Sequence, residues 1–163
     1  EPFRFSWIIG PAKENVVVND MSKGLSNSQK QVFEKKFVIN DSLSKMKWKI
    51  SPETRTIAGF ECRKAVGIMC DSVYVVAFYT EEIPVSSGPE SFNGLPGMIL
   101  GIVIPRLYTT WFATKLSLSA AEPRKPDSKK GQVVEKEKLK TVLTSSFSDW
   151  GEQRQRNIWW VML

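Results

Sequence analysis

The side chains of this sequence best suited to chemistry are two thiols, Cys62 and Cys70, and a scatter of carboxylates, Asp71, Glu81, Glu82 and Glu90. The spacing of the thiols leaves two outcomes open. A hairpin turning at Val66-Gly67 sets them opposite one another, within the roughly 4.4–6.8 Å Cα separation that a disulfide needs. A hairpin turning at Asp71-Ser72 leaves both on one strand, roughly 26 Å apart at about 3.3 Å per residue, and no bridge can close. A soft-metal site from Cys62, Met69 and Cys70 has suitable ligand types but lacks spacing and further ligands. The carboxylates could pair as general acid and base or hold a hard cation. Each lies beside a turn, however, where solvated carboxylates are routine, and together they form no spaced motif. Glu90, three residues after Ser87, suits a capping arrangement if a single helical turn forms there.

Histidine is absent, which removes the usual general base near neutral pH and the commonest transition-metal ligand. Serine–histidine and cysteine–histidine nucleophiles are thereby excluded within this chain. The glycines from Gly88 to Gly101 lack the order of a phosphate-binding loop, and Pro89 and Pro96 withdraw amides that a phosphate cradle needs. The chemistry therefore reads as non-enzymatic, with no cofactor and no metal expected.

The elements that would position these groups follow from patterning. At 163 residues the chain has the size of one domain, 1–163, with a substantial core. Phe3, Phe5, Trp7 and Ile9 alternate as a half-buried strand, Val16-Val17-Val18 begins another, and the polar stretch from Asn19 to Lys30 reads as a loop. Gln31–Ile39, Met46–Ile50, Ile57–Met69, Val73–Tyr79, Met98–Ile104 and Arg106–Leu118 read as further strands. Residues 120–131, rich in proline and lysine, are expected to be mobile. Leu139, Val142, Leu143 and Phe147 recur at helical spacing, so an amphipathic helix is predicted over about 134–150. The tail 157–163, NIWWVML, is apolar and must dock onto something. The expected fold is α+β, a predominantly antiparallel, curved, half-barrel-like sheet with one C-terminal amphipathic helix.

The net charge of +6 suggests an anionic partner only if the excess lies on one face. Seven basic and four acidic residues between Glu122 and Lys140 account for half of it, and no arginine-rich run with interleaved aromatics occurs. A nucleic-acid partner is not expected, and no apolar run is long enough for a transmembrane helix. A chain beginning at Glu1 without methionine fits a mature form from which a signal peptide has been removed.

The stretch that organises the rest is Gly88–Pro105, GPESFNGLPGMILGIVIP. Asn93-Gly94 and Pro96-Gly97 read as tight turns because proline fixes φ and glycine admits φ > 0, and the apolar run after them reads as a buried strand. Asn93–Leu100, NGLPGMIL, resembles the signature of the GLPGLI family of envelope proteins, with Met98 in place of the usual leucine. The pattern Ile57–Ala65, the phrase Ala77–Ile83 and the Trp48-Lys49 pair fit the same family, over roughly residues 33–112. The resemblance implies a periplasmic or secreted, cell-envelope location and, on the whole, no assigned activity. It also implies the later of the two hairpin turns between the thiols, although a bulge at Gly67-Ile68-Met69 would restore the earlier one.

The aromatics exceed what one helix stripe needs. Either they fill the core, or a curled sheet lined with them encloses an apolar ligand. Phe78, Leu95, Met98 and Trp111 are the residues expected on such a face, with Gly94, Pro96 and Gly97 holding the corner rigid. The function expected is a non-enzymatic periplasmic or envelope module that binds an apolar small molecule or an envelope protein on its curved sheet. Two alternatives stand beside it: docking to an envelope complex through the Trp159-Trp160 tail and, less favoured, a carboxylate-based enzyme.

Overall fold

The computed structural model describes residues 15–32, 35–119, 126, 131–151 and 153–163. The strand expected at residues 3–9 and nearly all of the expected mobile loop lie outside them. Among the described residues nine strands form two sheets. The first holds β1 (Val16–Asp20), β2 (Leu25–Val32), β3 (Lys35–Ser42) and β9 (Gln132–Val134) in that order, antiparallel except for the parallel β3–β9 pair. The second is an antiparallel meander of β4 (Trp48–Ile57), β5 (Phe60–Met69), β6 (Val73–Thr80), β7 (Met98–Ile104) and β8 (Thr109–Phe112). Neither sheet closes into a barrel. Helix α1 covers Lys136–Ser146, a 3-10 turn covers Ser148–Trp150, and α2 covers Gln153–Met162.

The expected α+β fold with mainly antiparallel pairing is present, but its strands divide between two sheets and its C-terminal region holds two helices. The polar segment Asn19–Lys30 expected as a loop contains most of β2. Its side chains carry no apolar alternation, so the strand is set by pairing to β1 and β3 on both edges and by a turn in which Gly24 takes φ +66°. A central position satisfies main-chain hydrogen bonds whatever the side chains are.

Helix α2 explains why two sheets share one interior. Trp159, Trp160 and Leu163 pack with Val75, Ala77, Ile102 and Leu95 on the five-stranded sheet. Ile158 and Val161 pack with Phe37, Ile39, Leu139 and Phe147 against β3 and α1. A third cluster, around Cys62, Ile57 and Leu100, covers part of the opposite face of the five-stranded sheet. There Arg55 lies over the Phe112 ring, 4.7 Å from its centroid.

Candidate functional site: a lysine-lined groove at the sheet junction

The corner between β6 and β7 is held as its sequence demands at two glycines. Gly94 takes φ +94°, and a Cβ built on Gly97 would fall on the Thr80 carbonyl oxygen. The main chain of β7 is anchored there by Met98 N–H donating to Ile83 O at 2.9 Å and Ile99 N–H donating to Ser87 O at 2.8 Å. Leu95 is buried behind the corner and Pro96 faces solvent. The lead-in to β4 is tied to the same corner, because Trp48 Nε1 donates to Asn93 O at 2.8 Å.

Beside that tie the alternation of a strand sorts side chains by function. Met46 and Trp48 turn toward the core, while Lys45, Lys47 and Lys49 are exposed. Gly67 on β5 lets this happen: a Cβ there would lie 2.8 Å from Met46 Sδ and 3.0 Å from Trp48 Cε3. An open depression of about 690 Å³ results, with the three lysines, Trp48, Ile68 and Tyr74 among its walls. Through Lys45, Ile68 and Cys70 it adjoins a second cavity of about 220 Å³. That cavity shares Ser44, Ser91 and Lys136 with a third, of about 30 Å³, which reaches Lys30. The three form one groove from Tyr74 to Lys30, with five lysines and two aspartates, Asp41 and Asp71, in its walls.

Lys30 lines the inner end. It is only 6% exposed, and its Nζ donates to Val161 O at 2.9 Å. Burial lowers its pKa from 10.5 to about 8; the Glu90 carboxylate opposes the shift and the Lys136 ammonium adds to it. Glu90 stands in the left-handed region at φ +52°, with its Oε2 buried and unpartnered among the described residues.

The residues expected from sequence to share one apolar face do not share one. Leu95 and Trp111 belong to the inner cluster, where Trp111 meets Trp160 edge-on at 6.2 Å, whereas Phe78 and Met98 pack on the opposite side with Cys62 and Leu100. The register separates them: Phe78 pairs with Gly101 and Gly101 with Phe112, whereas Trp111 pairs with Ile102 and shares the face of Ala77. The inner face, moreover, is filled by the tail. Trp159 and Trp160 are each 8% exposed and Leu163 3%, so the stretch expected as an exposed docking element is core.

Both thiols are free, with Cys62 buried and Cys70 exposed. The hairpin turns late, at Cys70-Asp71, where both residues have φ near that of a type I′ turn, 49° and 63°. Cys62 lies within β5 and Cys70 just past its end, so the chain separates them along one strand and the disulfide expectation gives way to the second outcome. Burial raises both thiol pKa values. The carboxylates also stay apart. Glu81 meets Arg63 at 3.5 Å, Asp71 sits in the β5–β6 turn, and Glu90 lies in the Pro89–Phe92 turn, which is not a helical cap. Among the described residues no group of acidic or thiol side chains has the arrangement of a metal site, and no helix is long and apolar enough to cross a membrane.

What sequence reasoning missed is the lysines. Lys47 and Lys49 were legible as the polar half of an alternating strand, but Lys45 lay outside it, and Lys30 sat in a stretch read as a loop, where only the packing of α2 buries it.

Comparison with known proteins adds a family match and a fold. A family model described as a protein of unknown function (Porph_ging) matches residues 68–101. That span runs from the end of β5 through β6 and the glycine–proline corner into β7, and so takes in Cys70, Asp71 and Tyr74 of the groove wall. No curated protein matches the chain. Among solved structures, PNGF-II in its C2 crystal form is similar at a TM-score of 0.51 and 18% identity, over 91% of this chain and 25% of that one. The P21 form gives 0.49 and 18%, over 74% and 22%. The likeness is one of fold, and this chain spans about a quarter of the PNGF-II chain.

Proposed function

We propose that this chain is a non-enzymatic binding module of the GLPGLI type, working in the cell envelope, and that it holds an acidic segment of a partner protein in the groove. The observation that carries the reading is the continuity of the groove: Lys45 and Lys47 in the lead-in to β4 and Lys49 on it lead past Lys136 to Lys30, with Trp48 and Tyr74 beside the outer lysines. Lysine ammoniums in a concave surface attract carboxylates and steer their approach, and partly exposed aromatics supply apolar contact area. Tyr74 is 60% exposed and Ile68 50%, so both are accessible to a partner. An apolar ligand cup is less well supported, since α2 fills the face that would line it. The sharing of α2 between the clusters of both sheets supports one domain over 1–163.

The test is titration of the intact chain with a poly-glutamate peptide, followed by amide chemical shifts. Saturable shifts concentrated in 45–49, 66–71 and 74 are expected, and K45E/K47E/K49E should remove them while leaving the rest of the spectrum in place. Shifts spread evenly over the surface, or none that saturate, would sink the proposal.

A further inference from the structure

We infer that Met46, Met69, Cys70 and Met162 form a binding site for a soft monovalent cation, copper(I) being the one their sulfur donors suit. The inference goes beyond the groove reading and does not rest on it. All four residues line the middle cavity of the groove, of about 220 Å³. They are three of the five methionines of the chain and one of its two cysteines. Separate elements bring them there: Met46 precedes β4, Met69 ends β5, Cys70 begins the turn after it, and Met162 ends α2. The sequence alone offered Met69 with the two thiols and no further ligands. Folding places Cys62 on the opposite face of the sheet and supplies two thioethers in its stead.

The register draws the sulfurs together. Gly67 and Met69 pair with Val75 and Val73, both of the inner cluster, so they face one side of β5, roughly 7 Å apart along the strand. Met46 Sδ lies against that face, 2.8 Å from where a Cβ on Gly67 would stand. At Cys70 the chain turns with φ 49°, which keeps the thiol beside the same cavity. The three methionines are half-buried and Cys70 is exposed, so an ion in the groove can reach them. Methionines that only filled a gap would leave none between them, whereas these border a space, and three rotatable bonds let each thioether close on an ion.

The donor set selects the metal. Thiolate and thioether are soft ligands that favour copper(I), and no acidic side chain lines the cavity to hold a hard cation. Zinc would want further thiolates, imidazoles or carboxylates. Lys45 and Lys136 in the wall repel a divalent ion, but a monovalent ion bound to one thiolate makes a centre of no net charge. Burial holds the Cys70 pKa up against the Lys136 and Lys140 ammoniums, so the free thiol carries its proton and releases it to solvent as the sulfur–metal bond forms. No electron is transferred.

The first probe is silver(I), which takes the same donors and needs no reductant, added as nitrate to the intact chain in chloride-free buffer. With isotope-labelled methionine methyls, one equivalent should move the resonances of Met46, Met69 and Met162. Met21, exposed on the first sheet, and Met98, on the opposite face of the second, should stay in place. Cys70 should stop reacting with a thiol reagent at the same stoichiometry. Copper(I) passed from a bicinchoninate complex should bind one per chain, and M46L/M162L, which keeps the thiol and nearly the volume, should weaken it by about tenfold or more. Silver held by Cys70 with all five methyls unmoved overturns the site. So does copper(I) binding unchanged in a folded M46L/M162L, or zinc(II) moving the three methyls when copper(I) does not. The methyl readout decides alone if that variant fails to fold.

Discussion

The ammonium of Lys30 on β2 lies 2.9 Å from the main-chain oxygen of Val161, in the last turn of α2. That turn has no basic residue of its own, so a strand 131 positions away supplies the cation that a helix C-terminus favours. The same contact fixes the inner wall of the groove.

A pH dependence follows. Burial depresses the folded pKa of Lys30 to about 8 from 10.5, so between these values the unfolded chain binds the extra proton. Raising the pH through that window removes the unfolded state's advantage, so this residue's contribution to stability grows more favourable from about pH 8 to about 10.5. Urea midpoints of the native chain measured against Lys30→Met should diverge upward across that window; parallel curves would refute the assignment.

Trp160 should behave as core. Trp160→Ala is expected to lower stability by about 3–5 kcal/mol, the usual cost of emptying an aromatic site. Its edge-on neighbour Trp111 loses a packing partner at the same time. Calorimetry checks the loss, and a variant of unchanged melting temperature would return the tail to the surface.

At the corner, Gly97→Ala should cost about 1–3 kcal/mol or more, because its new methyl meets the Thr80 carbonyl, a main-chain group that cannot turn aside. Gly94→Ala has room, with Trp48 Nε1 at 3.5 Å, and suffers only the strain of φ +94°, about 1 kcal/mol. Denaturant unfolding of the two variants should rank them in that order.

Thiol labelling separates the cysteines. In the native chain Cys70 should react with an aromatic disulfide reagent, slowly because its pKa is raised, while Cys62 should react only on unfolding. Mild oxidation should give no two-proton mass loss within one chain. Such a loss would show the two residues bridged and the β5 register wrong.

Much of the frame was legible in the residues alone. Val73–Tyr79 is apolar on both faces as a central strand should be, and of the stripe Leu139, Val142, Leu143 and Phe147 all but the exposed Val142 face the core; Met46 and Trp48 alternate inward as expected, but Ile50 is exposed and the strand continues to Ile57. These signals are local, since the period of an element and the φ allowed to glycine and proline depend on near neighbours in the chain. The two-turn corner belongs with them. Its glycine positions anticipate both the positive φ of Gly94 and the close approach at Gly97.

The tertiary structure decided everything that depends on distant partners. The polar β2 is a strand because β1 and β3 take up its main-chain groups, not because of its side chains. Phe78 parted from Trp111 through the pairing of β6, β7 and β8, which sets Phe78 beside Phe112 and Ala77 beside Ile102 and Trp111, a register that no single strand's alternation records. Lys30 became a buried cation when α2 folded over it, and the tryptophans expected to line a cup or reach a partner instead filled the interior. The chain by itself specified which segments extend or coil, because those preferences are short-ranged. Which faces meet, and therefore where the groove lies and what lines it, was settled by packing between distant parts of the chain, from Trp48 and Asn93, 45 positions apart, to Lys30 and Val161, 131 apart.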